Sequence, residues 1–375
     1  MTWNNSLHIL PTLFYSVIWD KAMFTGMNEN MPGTETKNTT GHNELNNLVS
    51  VIIVNYRSWN KLSDCLRSLQ CVDPSKVTLD IIVVDNCSDD DRFEAFSTAF
   101  PTVRFLLNSG NYGYAHGCNT GAKAGLGRYF LFLNPDTIVR PGSIESLLSA
   151  IGDYPTNSIL STLQITPKGT KERVERFFPG WMLLTGLGKI LYRLINHRRL
   201  QKEFAKDKAV VFPDWVSGSV QFMRREAYLN LKGWDERFWM YKEDVDICQR
   251  AANMGGKIVL LQHTSFFHNH GGSSRINTNI SALTKSEVYI SGHVYISIHM
   301  QGLQRTAMQV FLVGRALTKL TILALLSCLF FPHKRAKVHR LLLINLCRYY
   351  VNALKVKSWI SPRSVCYKKL HRPEI

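Results

Sequence analysis

The sequence of 375 residues lacks several patterns that would assign it to common classes of protein. Its eight cysteines are scattered, and no two form a CxxC pair, which excludes a zinc-ribbon pattern and a dense disulfide framework and favours a reducing compartment. No glycine follows the first predicted strand, where an NAD-dependent oxidoreductase would carry GxGxxG. No internal repeat is present. Acidic residues are scarce, with 28 Asp and Glu against 45 Lys and Arg, and the formal charge is +17.

What the chain does contain is enough apolar sequence for a large core. Hydrophobic residues make up 45% of the chain and aromatic residues 11%, which argues against a mostly disordered protein. The length suits one large domain with extensions, or two smaller domains.

The excess positive charge is concentrated in the last fifth of the chain. From residue 301 onward there are fourteen Lys and Arg residues and one acid. The neighbouring segment Val310–Phe331 is rich in Leu, Ile and Phe, but Arg315 and Lys319 interrupt it, and a membrane span needs about 20 apolar residues. We therefore predict a helix that lies in the membrane interface rather than one that spans, with a docked core helix as the alternative. Apolar residues beside basic ones favour a membrane surface over nucleic acid.

The N-terminal region has a different character. Residues 1–47 are polar and rich in Asn, Thr and Gly, which predicts a flexible extension. Ile9–Ile18 is weakly apolar, but it lacks a basic flank and contains Pro11, so it does not predict a signal peptide. We therefore expect the main domain to lie in the cytoplasm.

From Leu48 onward, strand-like and helix-like segments alternate. Leu48–Val54 is too uniformly apolar for a strand with one solvated face and is typical of a strand buried on both faces of a parallel sheet. The alternation predicts a doubly wound, mainly parallel α/β sheet, in which ligands bind at the carboxyl ends of the strands. Strands are predicted at 48–54, 79–84, 103–107, 129–133, 159–165, 220–224 and 257–261, and helices at 59–70, 93–100, 116–126 and 142–151.

Acidic residues cluster at two places that suggest chemistry. Glu243, Asp244 and Asp246 lie at the start of a predicted helix, where the helix dipole stabilises acids and capping accounts for one or two of them. A third acid so close needs another reason, because like charges raise each other's pKa. A second acidic site, Asn134–Asp136, ends the predicted strand 129–133. Together the two sites suggest a metal-bound phosphate beside a general base.

The motifs at these strand ends resemble those of family 2 glycosyltransferases, and most of all the rhamnosyltransferase-type members of bacterial surface-polysaccharide pathways. The resemblance covers about Leu48 to Ser274 and keeps the family's order. It implies a GT-A fold, a nucleotide-sugar donor and an inverting transfer. The segments that carry it are Val51–Tyr56 (VIIVNY), Val83–Asp89 (VVDNCSD), Asn111–Ala115 (NYGYA) with Asn119 and Gly121, Leu133–Asp136 (LNPD) and Glu243–Asp246 (EDVD).

The resemblance implies a nucleoside pocket at the first two strand ends. Asp85 would accept the imide N–H of uracil or thymine, and Asn55 and Tyr56 would line the same pocket. The alternative is that Asp85 is a turn residue, since Asp-Asn-x-Ser also has good turn chemistry.

A glycine-rich segment, 110–121, would bind the donor diphosphate. Its residues Asn111, Gly113 and Asn119 are candidates for donor binding, because glycines allow close approach of backbone N–H groups and a helix start attracts phosphate. An ordinary turn is the alternative.

The resemblance also implies a site for Mg²⁺ or Mn²⁺. Asp136 is the candidate ligand, since these cations prefer oxygen and share it with substrate phosphates. Asn134 replaces the first acid of the usual Asp-x-Asp and is expected to contact the donor instead. A second protein ligand is therefore needed, and we expect it to be His268, with His270 as a competitor and a purely structural histidine as the alternative.

Asp244 is the candidate catalytic base. Inverting transfer requires a carboxylate that removes the acceptor hydroxyl proton during in-line attack, and no enzyme nucleophile. Glu243 and Asp246 are expected to orient this base or contact the acceptor, and Arg250 is expected to pair with Asp246 one turn along the helix. Trp215 is a candidate for stacking on a sugar face, with core packing as the alternative.

The expected function is transfer of L-rhamnose from dTDP-L-rhamnose to a glycan or lipid-linked acceptor. The alternatives are a UDP-sugar donor, including UDP-galactofuranose, or a non-catalytic membrane-associated nucleotide-binding protein. We divide the chain into the extension 1–47, a GT-A domain 48–300 and a basic, membrane-associating helical region 301–375, peripheral on the inner face of the plasma membrane. A basic amphipathic segment, Trp181–Phe204, faces the acceptor or the membrane, or is an ordinary surface helix.

Overall fold

The computed structural model describes residues 47–174, 176–180, 186–269, 277–330 and 333–371. Apart from Asn47, the predicted N-terminal extension lies outside the described residues. His270 and the first five residues of the predicted segment 181–204 also lie outside them.

The described residues form one nine-stranded sheet whose first four strands alternate with helices. The strands are β1 (Leu48–Asn55), β2 (Thr78–Asp85), β3 (Arg104–Leu107), β4 (Tyr129–Leu133), β5 (Thr137–Ile138), β6 (Ile159–Ile165), β7 (Val210–Val211), β8 (Val220–Arg224) and β9 (Ile258–His268). Their order is β3-β2-β1-β4-β8-β6-β9-β5, and β7 pairs with β9. Strands β1 to β4 are mutually parallel, as are β6 and β9, whereas β8 runs antiparallel to both β4 and β6.

The helices pack on both faces of the sheet. They are α1 (Trp59–Gln70), α2 (Arg92–Ala99), α3 (Tyr114–Ala124), α4 (Ser143–Ala150), α5 (Gly186–Ile195), α6 (His197–Glu203), α7 (Arg225–Asn230), α8 (Glu243–Asn253), α9 (Thr278–His299), α10 (Gly302–Phe330), α11 (His333–Val356) and α12 (Val365–His371). Along β1, Val51 and Ile53 pack in the cluster that contains α1, while Ile52 and Val54 pack in the cluster that contains α3. Alternate side chains of a strand point to opposite faces, so β1 is buried on both sides, as its uniform composition predicts.

The predicted doubly wound α/β fold is confirmed, with antiparallel additions that the sequence did not reveal. Strands β5 and β7 contain two residues each, which is too short for a periodic pattern, and both run antiparallel to β9. The strand predicted at 257–261 continues as β9 to His268 through an irregularity in its pairing with β6. This extension places His268 opposite Thr137 of β5, next to the predicted metal ligand Asp136.

Helices α9 to α11 form a layer that packs on the sheet domain. Ile290 of α9, Leu320 of α10 and Leu346 of α11 share an apolar cluster with Phe238 and Val245 of the sheet domain. The helical layer therefore begins with α9, before the division predicted at residue 300. Within the described part of the chain, α10 is the one helix long and apolar enough to cross a membrane, judged by length and composition alone.

Candidate active site

The ends of β1 and β2 are joined by a buried polar network. Asn55 Nδ2 donates to Asp85 Oδ1 at 2.8 Å, and Ser88 donates to the same carboxylate through its hydroxyl (2.6 Å) and its backbone N–H (2.7 Å). Asp85 is only 1% exposed. These contacts are those of the turn that the sequence left open as the alternative. Tyr56 is more accessible, and the Arg57 guanidinium lies 5.4 Å from its ring centroid.

The glycine-rich loop is held between the end of β2 and the segment before α8. The Gly113 carbonyl accepts from Asn86 Nδ2 at 3.0 Å, and Asn111 Oδ1 accepts from the Gly113 N–H at 3.2 Å. The Tyr114 N–H donates to the Trp239 carbonyl at 2.9 Å. Gly113 has φ = 97°, and a Cβ there would lie 2.1 Å from that carbonyl oxygen. The position therefore requires glycine, for its backbone conformation and for the close approach.

Replacement of Gly113 by alanine is expected to destabilise the protein and displace the loop. Gly142→Ala is the matched control, because Gly142 also has positive φ (76°) but nothing lies within 4 Å of its added Cβ. Both variants incur backbone strain, and Gly113→Ala adds about 1–3 kcal/mol of steric cost to the loss in free energy of unfolding. Denaturant unfolding measures both losses. Equal losses would show that the Trp239 contact does not restrict this loop.

Asn119 is not available to a donor in this structure, contrary to what the resemblance implied. Its side-chain oxygen accepts from the Tyr228 hydroxyl (2.8 Å) and the Trp234 N–H (2.9 Å), and its Nδ2 donates to the Trp234 carbonyl and to Glu236 Oε1, both at 2.9 Å. An amide offers two acceptor lone pairs and two donors, so its capacity is filled. Asn119 thus fastens α3 to residues 228–236.

The predicted metal ligands Asp136 and His268 lie side by side. His268 Nε2 is 3.2 Å from Asp136 Oδ1, and its Nδ1 is 3.0 Å from Glu172 Oε1. Burial opposes the charged ring, but the hydrogen bonds to Asp136 and Glu172 outweigh it and raise the pKa of His268 to about 9. Lys61 Nζ approaches Asp136 at 3.8 Å.

The fit of a divalent cation to this site depends on whether the His268 ring is protonated. Within the described ranges no group of three or more His, Cys, Asp and Glu side chains is arranged to hold a metal ion. The donor types nevertheless suit Mg²⁺ or Mn²⁺, because Asp136 and Glu172 supply carboxylate oxygens at the two nitrogens of the His268 imidazole. A metal bound at Nε2 beside Asp136 would have to displace the Nε2 proton that the raised pKa of His268 favours.

The predicted base Asp244 lies in the first turn of α8. Its Oδ1 accepts from the Val245 N–H at 2.9 Å, and its Oδ2 accepts from the Gly218 N–H at 3.2 Å. Burial raises the pKa of Asp244, and the bond from Gly218 and the nearby Arg176 partly offset the rise. Burial and the adjacent Asp244 raise the pKa of Glu243 much further. Burial thus favours the protonated form of Glu243, which would leave Asp244 as the charged member of the pair.

Asp246 is a structural anchor of α8. It is fully buried, and its two oxygens accept from Arg250 Nε (2.8 Å) and His299 Nε2 (2.8 Å). The predicted pairing with Arg250 is confirmed, with Nη2 of Arg250 2.7 Å from Oδ2 of Asp246. Because both oxygens are enclosed, Asp246 supports the helix and has no surface for an acceptor.

The segment Gly218–Ser219 connects the predicted clusters. The Gly218 carbonyl accepts from the Tyr114 hydroxyl at 2.7 Å, while the Gly218 N–H reaches the base Asp244. The Ser219 carbonyl accepts from the Asn134 N–H at 3.0 Å, at the end of β4. The glycine-rich loop, the Asn134–Asp136 strand end and the base therefore surround one short segment.

Comparison with known proteins agrees with this geometry. Residues 50–225 match the sequence model of Glycosyl transferase family 2, and the match spans β1 to β8, including the polar strand ends. Residues 50–225 belong to glycosyltransferase family 2.

Among similar proteins, an N-acetylglucosaminyl-diphospho-decaprenol L-rhamnosyltransferase of Mycobacterium tuberculosis is 27% identical over 244 residues, which cover 61% of this chain and 78% of the relative. Rhamnosyltransferase WbbL of Escherichia coli K12 is 25% identical over 229 residues, covering 59% and 82%. A solved structure, the mannosyltransferase PcManGT from Pyrobaculum calidifontis in complex with GDP-Man and Mn²⁺, superposes with a TM-score of 0.47 at 14% identity, over 80% of this chain and 86% of that one.

The glycosyltransferase site also contains residues that sequence reasoning missed. Glu172 pairs with both His268 and Arg176, and the Arg176 guanidinium lies 4.6 Å from the ring centroid of Trp215. Trp215 Nε1 donates to the Phe177 carbonyl at 3.1 Å. These partners come from residues 166–180, which show no apolar periodicity, so nothing in the sequence marked them. Trp215 is half-buried and lines a cavity beside the base.

Proposed function

We propose that this glycosyltransferase transfers a sugar with inversion, L-rhamnose from dTDP-L-rhamnose, to a glycan or lipid-linked acceptor in bacterial surface-polysaccharide synthesis. The observation that carries the proposal is the position of Asp244: its pKa is raised by burial, and Gly218 fixes the carboxylate. A base with a raised pKa removes a hydroxyl proton more effectively near neutral pH. The two rhamnosyltransferase relatives support the donor sugar.

The donor nucleotide is proposed to bind at the carboxyl ends of β1 and β2. Asn55 and Asp85 shape this end of the sheet through their mutual hydrogen bond, and the accessible Tyr56 ring is available to the nucleobase of the donor. In parallel sheets ligands bind at this edge. The same sites accommodate a UDP-sugar, so the choice between thymine and uracil rests on experiment.

The donor diphosphate is proposed to lie between the glycine-rich loop and the metal site. Asn111 lies on one side with Gly113, whose backbone hydrogen bonds hold the loop in place, and Asn134 lies on the other. Asp136 and His268 would hold Mg²⁺ or Mn²⁺, which neutralises charge on the departing diphosphate when bound. Asp136 already lies beside the cationic side chain of Lys61, which attracts phosphate to the same place.

The acceptor is proposed to approach Asp244 from the side of Trp215. The half-buried indole lines the cavity beside Asp244 and is the proposed contact for a sugar ring. Asp246 holds the first turn of α8 through Arg250 and His299, and Glu243 is proposed to orient Asp244. The protein is proposed to work in the cytoplasm, peripheral on the inner face of the plasma membrane. The exposed apolar residues of α10 and the basic residues of 301–375 support this location.

Incubation with a panel of nucleotide sugars tests the proposal. We expect dTDP-L-rhamnose to give release of dTDP with Mg²⁺ or Mn²⁺ and a lipid-linked glycan acceptor, and EDTA to stop the release. Faster release from UDP-galactofuranose or another UDP-sugar would assign that donor instead. The absence of release from every donor with either metal would refute a glycosyl transfer.

A separate binding measurement tests the assignment of Asp136 as a metal ligand. Asp136→Ala is expected to weaken Mn²⁺ binding, measured by electron paramagnetic resonance, by at least about tenfold. Asp91→Ala removes an exposed acid at the start of α2 and is expected to leave binding as it was. Equal affinity in both variants would move the metal away from Asp136.

A further inference from the structure

A basic cavity of about 600 Å³ opens between the sheet domain and the helical layer. Its walls come from Arg173, residues 176–179, α5, Trp215, the start of α8, α9 and α10. Among the lining residues that the structure describes there are seven cationic side chains and no acidic one. The cationic residues are Arg173, Arg176, Lys189, Arg193, Lys242, Arg315 and Lys319.

Two of these cations, Lys189 and Lys242, lie close enough to affect one another. Burial lowers the pKa of Lys242, the nearby Asp244 raises it, and the charge of Lys189 lowers it again. Lys189 and Lys319 are exposed at the mouth, whereas Arg176 and Lys242 are half-buried. Glu172 pairs with Arg176, but the lining residues that the structure describes still carry an excess of positive charge, which favours an anion with more than one negative charge.

Apolar surface continues from the mouth of the cavity. On α10, Arg315 and Lys319 are followed on the same face by Ile322 and Leu326, which are 49% and 41% exposed. On α5, the face beside Lys189 exposes three aliphatic side chains one turn apart: Leu187, Ile190 and Leu194. Cations followed by exposed apolar residues suit a ligand with a charged head and a hydrocarbon tail.

The cavity also reaches the proposed base. Lys242 and Val245, on either side of the Glu243–Asp244 pair, both line it, and so does Trp215. A ligand in the cavity would therefore hold its next chemical group near Asp244. The donor-side residues Asp85 and Asp136 do not line the cavity, so it is separate from the nucleotide site.

We propose that this cavity binds the diphosphate of a lipid-linked acceptor, with the hydrocarbon chain lying along the exposed faces of α5 and α10. A diphosphate matches a cluster of Lys and Arg side chains in charge and in hydrogen-bonding capacity. The inference rests on the proposed function, because it specifies the acceptor of that reaction. The lipid would enter from the membrane surface, and its attached sugar would face Asp244.

Binding of farnesyl diphosphate to the full chain in detergent micelles tests the inference. One double variant, the mouth pair, combines Lys189→Glu with Lys319→Glu at the mouth of the cavity. The matched pair is Lys202→Glu with Lys206→Glu, two exposed lysines outside the cavity that give the same change in net charge. We expect the Kd of the mouth pair to rise by about tenfold or more, and that of the matched pair to change by less than about twofold.

Several results would overturn the inference. Unchanged binding in the mouth pair, or equal loss in both pairs, would remove the cavity as the site. Inorganic diphosphate binding as tightly as farnesyl diphosphate would show a site for free anions. Vesicles of phosphatidylglycerol that displace farnesyl diphosphate at equal lipid concentration would show general attraction to anionic membrane.

The same assay separates this inference from the proposed function, because binding requires no turnover. If the mouth pair loses farnesyl diphosphate binding while the wild-type chain uses no nucleotide sugar, the proposed lipid site is supported and the proposed transfer is refuted. Normal rhamnosyl transfer with unaltered binding in the mouth pair would refute the site and leave the transfer.

Discussion

Replacement of Asp244 by asparagine is expected to lower kcat for sugar transfer by about 10²–10⁴-fold. Asparagine has the same shape and still accepts the Gly218 N–H, but its amide does not take a proton from the acceptor hydroxyl. Donor affinity is expected to stay as it is, because the base contacts the acceptor side. Release of nucleoside diphosphate gives kcat, and calorimetry with the donor gives the affinity.

Glu243→Gln provides the contrast. Burial and Asp244 hold the pKa of Glu243 well above its usual range, so glutamine imitates the protonated state that burial favours. Its loss of kcat is therefore expected to be far smaller than that of Asp244→Asn. A larger loss at Glu243 would exchange the roles of the two residues. The pH profile adds a second check, because the raised pKa of Asp244 places the acid limb of kcat/KM above that of an ordinary aspartate.

Removal of the Asp246 carboxylate is expected to give the largest loss of stability. Asp246→Ala leaves Arg250 and His299 without the buried charge that joins them, which costs about 3–5 kcal/mol of the free energy of unfolding. Glu203→Ala is the matched control, because Arg199 and Glu203 have the same spacing and a similar 2.7 Å distance but lie at the surface. No measurable loss is expected there.

The pH dependence of this loss follows from the pKa of Asp246. Burial opposes its charge, but His299 and Arg250 outweigh burial and lower the pKa below its ordinary value. A lowered folded-state pKa gives stability that is present above the unfolded pKa of about 3.9 and is lost as pH falls through the folded value. Denaturant unfolding of wild type and Asp246→Ala should therefore differ at pH 7 and converge well below pH 4. A difference that persists there would assign the loss to packing.

The sequence predicted the elements that have strong periodicity. Helix α1 and strands β4, β6 and β8 have the predicted bounds, because apolar runs between polar turns leave little choice of register. The bounds of β9 were missed, since Gln262-His263-Thr264 interrupts the apolar run that the strand bridges by an irregular pairing. The pairing of Asp246 with Arg250 was predictable because it is local.

The site was less predictable where partners come from distant segments. The resemblance placed Asp136 and His268 together, and the structure has them 3.2 Å apart. It could not reveal that the hydrogen-bonding capacity of the Asn119 side chain is used by residues more than 100 positions away. The basic cavity was equally unpredictable, because its seven cationic side chains come from four segments that are brought together only by the fold.

The bond between His299 and Asp246 has a geometrical consequence. It joins the end of α9 to α8, whose first turn contains Asp244, so this hydrogen bond helps to fix the distance from the helical layer to Asp244. If the helical layer rests on a bilayer, the Asp244 carboxylate lies at a fixed height above the lipid surface. Only an acceptor hydroxyl at that height then meets it. An acceptor that is one sugar longer or shorter would place its hydroxyl above or below Asp244.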